Sequence, residues 1–565
     1  MISVLYAKPK KLAGMQSIYV SFPYKAKIVE AIRMIPERFW DGKNKVWELD
    51  YKALSELKTL LPKEEFSICG KPIDDSKYGE KKIEKHFALP KEIKTKLYDY
   101  QYKVYNEAMN FNKYLLLLDM GMGKGILSIS CALKRRELGQ VKHCLVVTGV
   151  KGLIWNYKEE LEKHADMPCT ILGARQNKKG IWQSGSTNDK LEDLEELNEF
   201  FIVTNVESLR NKDIKERLKK LMDKGEIGMI VCDEIHKCKQ SSSLQGKALL
   251  LLSKHVKYFL GLTGTPITNS PLDAYVPLKC VDGELANLTQ FKSRYCIFGG
   301  FGGYQVIGFR NMGELQQKIN KCSIRLTKEE CLDLPEKIYI NEIVEMGADQ
   351  KKIYSQVMLA IMEDIDNISL SLDPLSQMIR ARQATASTAI LSSTINKSAK
   401  IDRLKELLEE IDGKVVVFSN WTKVTNILEK ELAEYNPAVI TGEVKDRESQ
   451  RKKFYEDDTC KVLIGTIGAC GTGYTFTCAN TAIFMDEPFT ASNKFQAEDR
   501  LYRIGQKKSV NVITLMCKNT IDERIHKIVE KKRVMSDTII DKKYDIHNPD
   551  VLRYMLTGEK PEGFE

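Results

Sequence analysis

A glycine-rich loop directly after a run of leucines is the first feature of the sequence that could do chemistry. Leu115–Leu118 precede Asp119, and the string Gly-Met-Gly-Lys-Gly at 121–125 leads into a stretch of helical periodicity. Alternate glycines let backbone N–H groups turn toward phosphate oxygens, the helix N-terminus adds its dipole, and Lys124 adds a positive charge. A strand-to-helix turn that merely needs glycine is the open alternative. The loop predicts that Gly121, Met122, Gly123, Lys124 and Gly125 bind the phosphates of ATP.

Two adjacent carboxylates end a later apolar run, 229–232. Asp233 is placed to hold Mg²⁺, directly or through water, and Glu234 is placed to orient and deprotonate the attacking water. Phosphoryl transfer needs mainly such positioning and charge stabilisation. An acidic pair that only caps a helix would not explain why it follows a phosphate loop in the same kind of segment. We therefore predict an ATPase with Lys124, Asp233 and Glu234 as catalytic residues and Asp233 as the metal ligand.

Two arginines recur at helical spacing late in the chain. On a helix, Gln496, Arg500 and Arg503 share one face, so both guanidinium groups could reach across a cleft and stabilise transition-state charge. The alternative is a solvated basic helix face, which is the usual fate of such charges. Because a glycine follows closely, we predict that Arg500 and Arg503 are catalytic.

The elements that must position these residues form two similar sets. Short β-branched runs alternate with amphipathic stretches, a pattern that predicts parallel sheets covered by helices on both faces. Two such sets predict two α/β lobes. The expected strands are 114–118, 144–148, 200–204, 229–232 and 258–262 in the first set, and 414–419, 438–441, 462–466, 481–485 and 511–516 in the second.

The predicted fold class is α/β, with a helical insert and a small N-terminal α+β module. In that module, 41–45 is expected to be a hairpin turn between Phe39-Trp40 and Val46-Trp47. In the insert, 375–390 and 400–410 have helical periodicity. The expected domains are an accessory module (1–89), a first, ATP-binding lobe (90–269), a helical insert and linker (270–400), a second lobe (401–519) and a C-terminal helix and tail (520–565).

Composition sets limits on the partners. The 565 residues carry a formal net charge of +10, which permits a polyanionic partner without proving one. The 14 cysteines include no C-x-x-C pair, so a zinc ribbon has no ligand spacing to use. No apolar run approaches the ~20 residues that a membrane span needs. We expect a soluble protein with no membrane partner, cytoplasmic and nucleoid-associated, in a bacterial or phage-infected cell.

The order of these motifs resembles the Snf2 family of helicase superfamily 2. Asp-Glu-Ile-His at 233–236 is similar to the superfamily box D-E-x-H, and 119–124, 262–266 and 496–506 are similar to Snf2 motifs. The resemblance covers roughly Lys96 to Val534. It implies two RecA-like lobes with ATP and Mg²⁺ between them, and an ATP-dependent translocase on double-stranded DNA.

The resemblance also implies roles for single residues. Two glutamines would contact the nucleotide: Gln101 and Gln496. Three residues would couple the state of ATP to lobe movement: His236, Thr263 and Thr265. Five would contact DNA phosphates by their motif positions: Lys151, Thr204, Asn205, Thr466 and Thr472. Each of the five could equally be a strand-end cap or a solvated residue.

Within the family, the chain is similar to the annealing-helicase branch, the HARP-type fork-remodelling proteins. Segment 473–480 supports this, as does 35–47, which is similar to the HARP module that precedes the motor. The tryptophans there could also serve only to build the core of an accessory domain. The branch implies branched DNA as a partner, with single-strand-binding or replication proteins as further ones.

Two other functions stay open, and one departure from the family motivates the first of them. Gly125 stands where the family has Thr or Ser, whose hydroxyl normally ligates Mg²⁺. Either Asp233 and water take over that role, or hydrolysis is weak and the chain is a nucleotide-binding DNA scaffold. A strand-separating helicase, or a translocase subunit of a restriction or defence system, is the second enzymatic alternative.

Overall fold

The chain folds into two compact units in the computed structural model. The first consists of Met1–Leu117, Ile126–Lys151 and Leu161–Arg325, and the second of Leu118–Gly125, Gly152–Glu160 and Leu326–Glu565. The structure describes residues 2–8, 10–12, 16–35, 38–51, 53–71, 85–149, 153–176, 182–264, 270–299, 305–366, 374–470, 474–488 and 491–535.

The N-terminal part of the first unit is a small α+β module, as predicted. Its elements are β1 (Ile2–Ala7), β2 (Ser17–Ser21), α1 (Ala26–Met34), β3 (Arg38–Asp41), β4 (Val46–Asp50), α2 (Ala53–Leu60) and β5 (Phe66–Cys69). The sheet has the order β3-β4-β2-β1-β5, and the two helices bury their apolar faces against it. The expected hairpin is confirmed, with Trp40 opposite Trp47 and the Asp41 carboxylate accepting hydrogen bonds from Lys43 and Asn44 N–H.

A seven-stranded sheet carries the rest of the first unit. Its order is β16-β6-β13-β12-β7-β11-β8, and all five strands expected in the first set are confirmed within one or two residues. β7 and β12 are buried along nearly their whole length, which explains their continuous apolar runs. The elements are α3 (Asp99–Met109), β6 (Lys113–Leu118), α4 (Lys124–Glu137), β7 (His143–Thr148), α5 (Leu153–Ala165), β8 (Cys169–Ile171), β9 (Ala174–Gln176), β10 (Trp182–Ser184), α6 (Thr187–Asp193), β11 (Phe201–Asn205), α7 (Lys212–Asp223), β12 (Ile227–Asp233), α8 (Leu244–Leu252), β13 (Tyr258–Thr263), α9 (Tyr275–Val281), α10 (Leu288–Tyr295), β14 (Cys296–Gly299), β15 (Gln305–Phe309), α11 (Met312–Lys321) and β16 (Ser323–Leu326).

A second parallel sheet, of six strands, forms the centre of the second unit. Its order is β17-β22-β21-β18-β20-β19, and the five strands expected in the second set are all present. The α/β class is therefore confirmed. The elements are α12 (Lys328–Cys331), β17 (Lys337–Val344), α13 (Ala348–Asp366), α14 (Pro374–Ala386), α15 (Ala399–Glu410), β18 (Lys414–Ser419), α16 (Thr422–Glu431), β19 (Ala438–Ile440), α17 (Arg447–Glu456), β20 (Val462–Thr466), α18 (Ile467–Cys470), β21 (Ala479–Phe484), α19 (Ala491–Glu498), β22 (Val510–Cys517) and α20 (Ile521–Met535).

The expectation of a helical insert and linker over 270–400 is wrong in part. The helices expected near 375–390 and 400–410 are present, but β14 and β15 form a hairpin, β16 joins the first sheet and β17 joins the second. β16 and β17 are edge strands of their sheets, and all residues of β17 except the last are exposed or half-buried. An edge strand of this kind lacks the continuous apolar run by which the central strands could be recognised.

Most of the cysteines are buried as free thiols. All fourteen are free thiols, and burial raises the pKa of Cys131, Cys280 and Cys470 to about 12. These thiols therefore stay protonated and pack as small apolar groups. Among the helices that the structure describes, none has both the length and the apolar composition to cross a membrane.

Candidate nucleotide-binding site

The glycine-rich loop connects β6 to α4 and belongs to the second unit. Gly121 and Gly123 have φ angles of +80° and +81°, which L side chains rarely adopt. Lys124 begins α4, and its Nζ donates hydrogen bonds to the carbonyls of Leu118 (2.8 Å) and Asp119 (3.2 Å). The loop thus combines glycines with positive φ angles, a helix N-terminus and the ammonium group of Lys124, which is hydrogen-bonded to the start of the loop. That combination fits the phosphate groups of a nucleotide.

The two predicted arginines do not lie on a helix, so that part of the prediction is wrong. α19 ends at Glu498, and the chain continues through turns to Gly505, which has a φ of +102°. The reason is that the Arg500 carbonyl accepts a hydrogen bond from the Phe476 N–H (2.7 Å) instead of continuing a helical ladder. Gln496 remains on the helix and is partly exposed.

Both arginines nevertheless lie against the phosphate loop within the second unit. A Cβ placed on Gly121 would be 2.9 Å from the Cβ of Arg503, so this glycine also permits a close approach. Arg503 Nη1 donates to Thr475 Oγ1 (2.6 Å), and Arg500 Nη1 donates to the Tyr474 carbonyl (3.2 Å). Arg500 Nη2 is 3.8 Å from the sulfur of Met120. The guanidinium groups are therefore positioned beside the loop by neighbouring turns.

Lys328 contacts both the start of the phosphate loop and the segment that carries the two arginines. The sequence did not predict a role for it. Its backbone N–H donates to Asp119 Oδ2 (3.0 Å), and its ammonium group lies 2.8 Å from Asp499 Oδ1 and donates to the Tyr502 carbonyl (2.5 Å). Burial lowers the pKa of this ammonium, an effect that Asp499 opposes. The only local signal was the capping box of α12, in which Thr327 and Glu330 exchange hydrogen bonds.

A carboxylate occupies the space beside Gly125. Glu160, on α5, would clash with any side chain at position 125, because a Cβ there would be 2.5 Å from the Glu160 Cδ and 3.1 Å from its Oε1. Its other oxygen, Oε2, lies only about one carbon–oxygen bond length from that Cβ position. The missing side chain is thus matched by an acidic group from another element, and carboxylate oxygens suit a hard cation such as Mg²⁺.

The acidic pair lies in the first unit, at the end of β12. Glu234 has φ and ψ of 51° and 49°, a left-handed conformation that is rare outside glycine, and its N–H donates to Asp233 Oδ1 (3.0 Å). His236 Nδ1 is 3.1 Å from Glu234 Oε2 and 2.9 Å from Thr263 Oγ1. The structure therefore brings together Glu234, His236 and Thr263, which the sequence analysis singled out separately. Thr265 lies outside the described residues.

Two further predicted residues have structural partners. Gln101 is buried, and its Oε1 accepts a hydrogen bond from the Tyr98 N–H (3.0 Å) at the start of α3. Asn205 is buried, and its Oδ1 accepts hydrogen bonds from the N–H (3.1 Å) and the hydroxyl (2.6 Å) of Ser208. Asn205 thus caps the end of β11, and its contact with DNA stays a prediction.

The remaining candidate DNA contacts differ in accessibility. Thr204 is buried within the first sheet, whereas Thr466 ends β20 and is partly exposed. Lys151 and Thr472 lie outside the described residues. Of the described candidates, Thr466 is therefore the one whose side chain reaches solvent, and DNA contact by all five stays a prediction.

Comparison with known proteins adds two domain families. A family described as "SNF2-related domain" matches residues 92–406, and one described as "Helicase conserved C-terminal domain" matches residues 399–505. The first of these alone matches more than half of the 565 residues.

Individual relatives agree with these matches. A protein of Mycoplasma pneumoniae named as an ATP-dependent helicase is 28% identical over 76% of this chain, and the DNA annealing helicase and endonuclease ZRANB3 of Bos taurus is 24% identical over 80%. The chain spans 41% of the length of each of these relatives. Among solved structures, the SWI2/SNF2 ATPase core of Sulfolobus solfataricus in complex with dsDNA is 24% identical, with a TM-score of 0.37, over 83% of this chain and 99% of that one.

Proposed function

The chain belongs to the SNF2-related family, and from that premise we propose that it is an ATP-dependent motor that translocates along double-stranded DNA. The observation that carries the proposal is the phosphate loop with Arg500 and Arg503 lying against it, in a chain of this family. Family membership brings the expectation of ATP use, and the relatives' names agree with it.

Each residue has a defined task in this proposal. The loop and Lys124 bind the phosphates, and the two arginines stabilise the charge that develops on them during transfer. Glu234 orients the attacking water and accepts its proton, while His236 and Thr263 hold the Glu234 carboxylate and its strand end in place. Asp233 would hold a Mg²⁺ ion, which supplies neutralising charge to the phosphates when bound.

We further propose that the preferred substrate is branched DNA, as for an annealing helicase. The relative named DNA annealing helicase is one support. The hairpin of β3 and β4 is another, because Trp40 and Phe39 are 46% and 38% exposed and do not serve only to build the core. The ammonium group of Lys11 is 5.7 Å from the centre of the Phe39 ring. Exposed aromatic rings beside cations suit the stacking and phosphate contacts of nucleic acids.

The test is a panel of ATPase assays without nucleic acid and with single-stranded DNA, duplex DNA, forks and RNA. We expect duplex and forked DNA to stimulate hydrolysis more than RNA, with the Glu234→Gln variant as the background control. Equal stimulation by RNA and duplex would contradict the proposal. A strand-displacement assay on the same forks separates translocation from strand separation, and turnover near background on every substrate would indicate a scaffold.

A further inference from the structure

Position 125 carries no side chain, yet an oxygen atom stands where its side chain would be. Oε2 of Glu160 lies about one carbon–oxygen bond length from the Cβ position of Gly125. A threonine or serine hydroxyl would place its oxygen at this same distance from the Cβ. The carboxylate oxygen therefore lies within the volume that a side chain at position 125 would fill.

This arrangement explains why position 125 is occupied by glycine and not by a residue with a side chain. A threonine there would overlap the Glu160 carboxylate, so the two residues form a matched pair: a small residue on α4 and an acidic residue on α5. Both residues belong to the second unit, which also contains Gly121, Gly123 and Lys124. Glu160 is partly buried, whereas Glu159 and Glu162 on the same helix are exposed.

Two roles could follow from a carboxylate at this place. It could occupy the phosphate site and compete with the nucleotide, or it could provide an oxygen ligand where the hydroxyl would have provided one. Phosphates bind through loop N–H groups, and the oxyanions of a nucleotide would repel a carboxylate held at the same place. Mg²⁺ is bound by carboxylates more commonly than by hydroxyls, and it keeps its remaining positions for waters and phosphates. The second role therefore fits the chemistry of a carboxylate better.

We propose that Glu160 supplies the oxygen ligand toward the Mg²⁺ of the metal–nucleotide complex that Gly125 cannot supply. This inference rests on the proposed function, since it assumes that the loop binds a nucleotide. It also replaces the expectation that Asp233 and water alone make up for the missing hydroxyl. Glu160 is then a direct metal ligand of the metal–nucleotide complex.

The test measures binding rather than turnover. The affinity of the full-length protein for a fluorescent ADP derivative is determined with excess EDTA and then with excess Mg²⁺. The ratio of the two dissociation constants reports how strongly the metal supports nucleotide binding. Glu160→Gln is compared with wild type and with Glu162→Gln, which removes an exposed carboxylate two residues further along α5.

We expect Glu160→Gln to lower the Mg²⁺-dependent gain in affinity about tenfold or more, the usual scale for losing a group that supports a bound metal. The affinity in EDTA should stay within twofold of wild type, and Glu162→Gln should behave as wild type throughout. An unchanged Mg²⁺-dependent gain in Glu160→Gln would overturn the inference. So would a higher affinity in EDTA, because that result would mean that Glu160 competes with phosphate.

A swap of the two groups gives a second, independent readout. Gly125→Thr alone should weaken nucleotide binding because of the clash, whereas Gly125→Thr combined with Glu160→Ala should regain the Mg²⁺-dependent gain through the new hydroxyl. Failure of the double variant to exceed Glu160→Ala, with both folded by circular dichroism, also overturns the inference. If wild type binds no nucleotide under either condition, the proposed function itself fails, and the inference fails with it.

Discussion

Glu234 occupies a left-handed backbone conformation at the end of a buried strand. A non-glycine residue in this region costs on the order of 1–3 kcal/mol and persists where the surroundings enforce it. A Cβ on Gly149, at the end of the neighbouring strand, would be 2.7 Å from the Glu234 Cβ. Only glycine therefore fits at position 149 when Glu234 has this conformation. Together with the His236 contact, this fixes the direction of the carboxylate.

We expect Glu234→Gln to keep nucleotide affinity while hydrolysis falls by several orders of magnitude, because an amide cannot accept the proton of the attacking water. Glutamine has the same shape, so the strained backbone is unchanged by the substitution. Nucleotide binding and single-turnover hydrolysis are measured side by side, with Glu207→Gln, an exposed carboxylate in the same unit, as control. Normal turnover in Glu234→Gln would assign the general base to another residue.

Arg500→Ala and Arg503→Ala should each lower kcat by roughly 10³-fold while leaving DNA affinity within a few-fold of wild type. The expectation rests on the position of both guanidinium groups beside the phosphate loop. Arg451→Ala is the control, because Arg451 pairs with Glu448 on the surface of α17. Loss of DNA binding with unchanged kcat in either variant would mean that the residue contacts DNA instead.

The site residues predicted from sequence alone share one property: their signal is local. Lys124, Asp233 and Glu234 each stand in a short string whose strand, turn and residue type can be read together. Glu160 and Lys328 lack such a string, because their importance comes from contacts with residues far away in sequence. Spacing within a motif cannot reveal a contact of that kind.

At the scale of elements, the central strands could be predicted and the edges could not. A strand buried on both faces needs a continuous apolar run, so β12 and β18 are visible in the sequence. β17 is an edge strand with mixed burial, and the sequence did not predict it because its segment was expected to be helical. The end of α19 was also misplaced, because the hydrogen bond between Arg500 and Phe476 depends on tertiary structure.

A buried ionic cluster fastens the N-terminal module to the rest of the first unit. Arg294, on α10, lies 3.0 Å from Asp50 Oδ2 at the end of β4. The same guanidinium contacts Glu314 of α11 through Nε (3.0 Å) and Nη2, and the Tyr295 hydroxyl donates to Glu314 Oε1 (2.9 Å). One buried cation thus serves two buried carboxylates on different elements.

Arg294→Met should therefore lower the free energy of unfolding by about 3–5 kcal/mol, because it leaves Asp50 and Glu314 buried without their shared cation. Urea denaturation followed by tryptophan fluorescence measures the loss, since Trp40 and Trp47 report on the module. Lys321→Met is the control, because it removes an exposed cation from the end of α11. A change below about 1 kcal/mol in Arg294→Met would show that the cluster is open to solvent.

At the scale of the whole molecule, the hydrogen bonds that the structure describes for residues 85–89 connect them to the motor and not to the N-terminal module. The boundary expected at residue 89 therefore does not follow these contacts. The Phe87 N–H donates to Asn106 Oδ1 (2.6 Å), and the Ala88 carbonyl accepts from the Tyr105 hydroxyl (2.9 Å). Both partners lie on α3, so 85–89 pack on the motor side of the chain. A truncation that tests the module should therefore remove 1–84 and keep these contacts.

Removing residues 1–84 should leave a folded ATPase that has lost its preference for forks over linear duplex DNA. The motor should stay folded because the deletion takes Asp50 away but leaves Arg294 paired with Glu314. The fork preference should fall because the deletion removes the exposed Phe39 and Trp40. Fork and linear-duplex affinities are measured for both proteins, together with thermal melts and basal hydrolysis.

The full-length Trp40→Ala variant separates the hairpin from the rest of the module in this experiment. Trp40 is 46% exposed and packs against Trp47 with ring centres 5.2 Å apart, so its loss should cost little stability. If the hairpin contacts the branch point, this single change should remove about 1–3 kcal/mol of fork affinity, the value of one base stacked on an aromatic ring. Linear-duplex affinity should change much less. An unchanged fork preference in both the truncated protein and Trp40→Ala would leave the module with a packing role alone, and fork recognition would then belong to the motor.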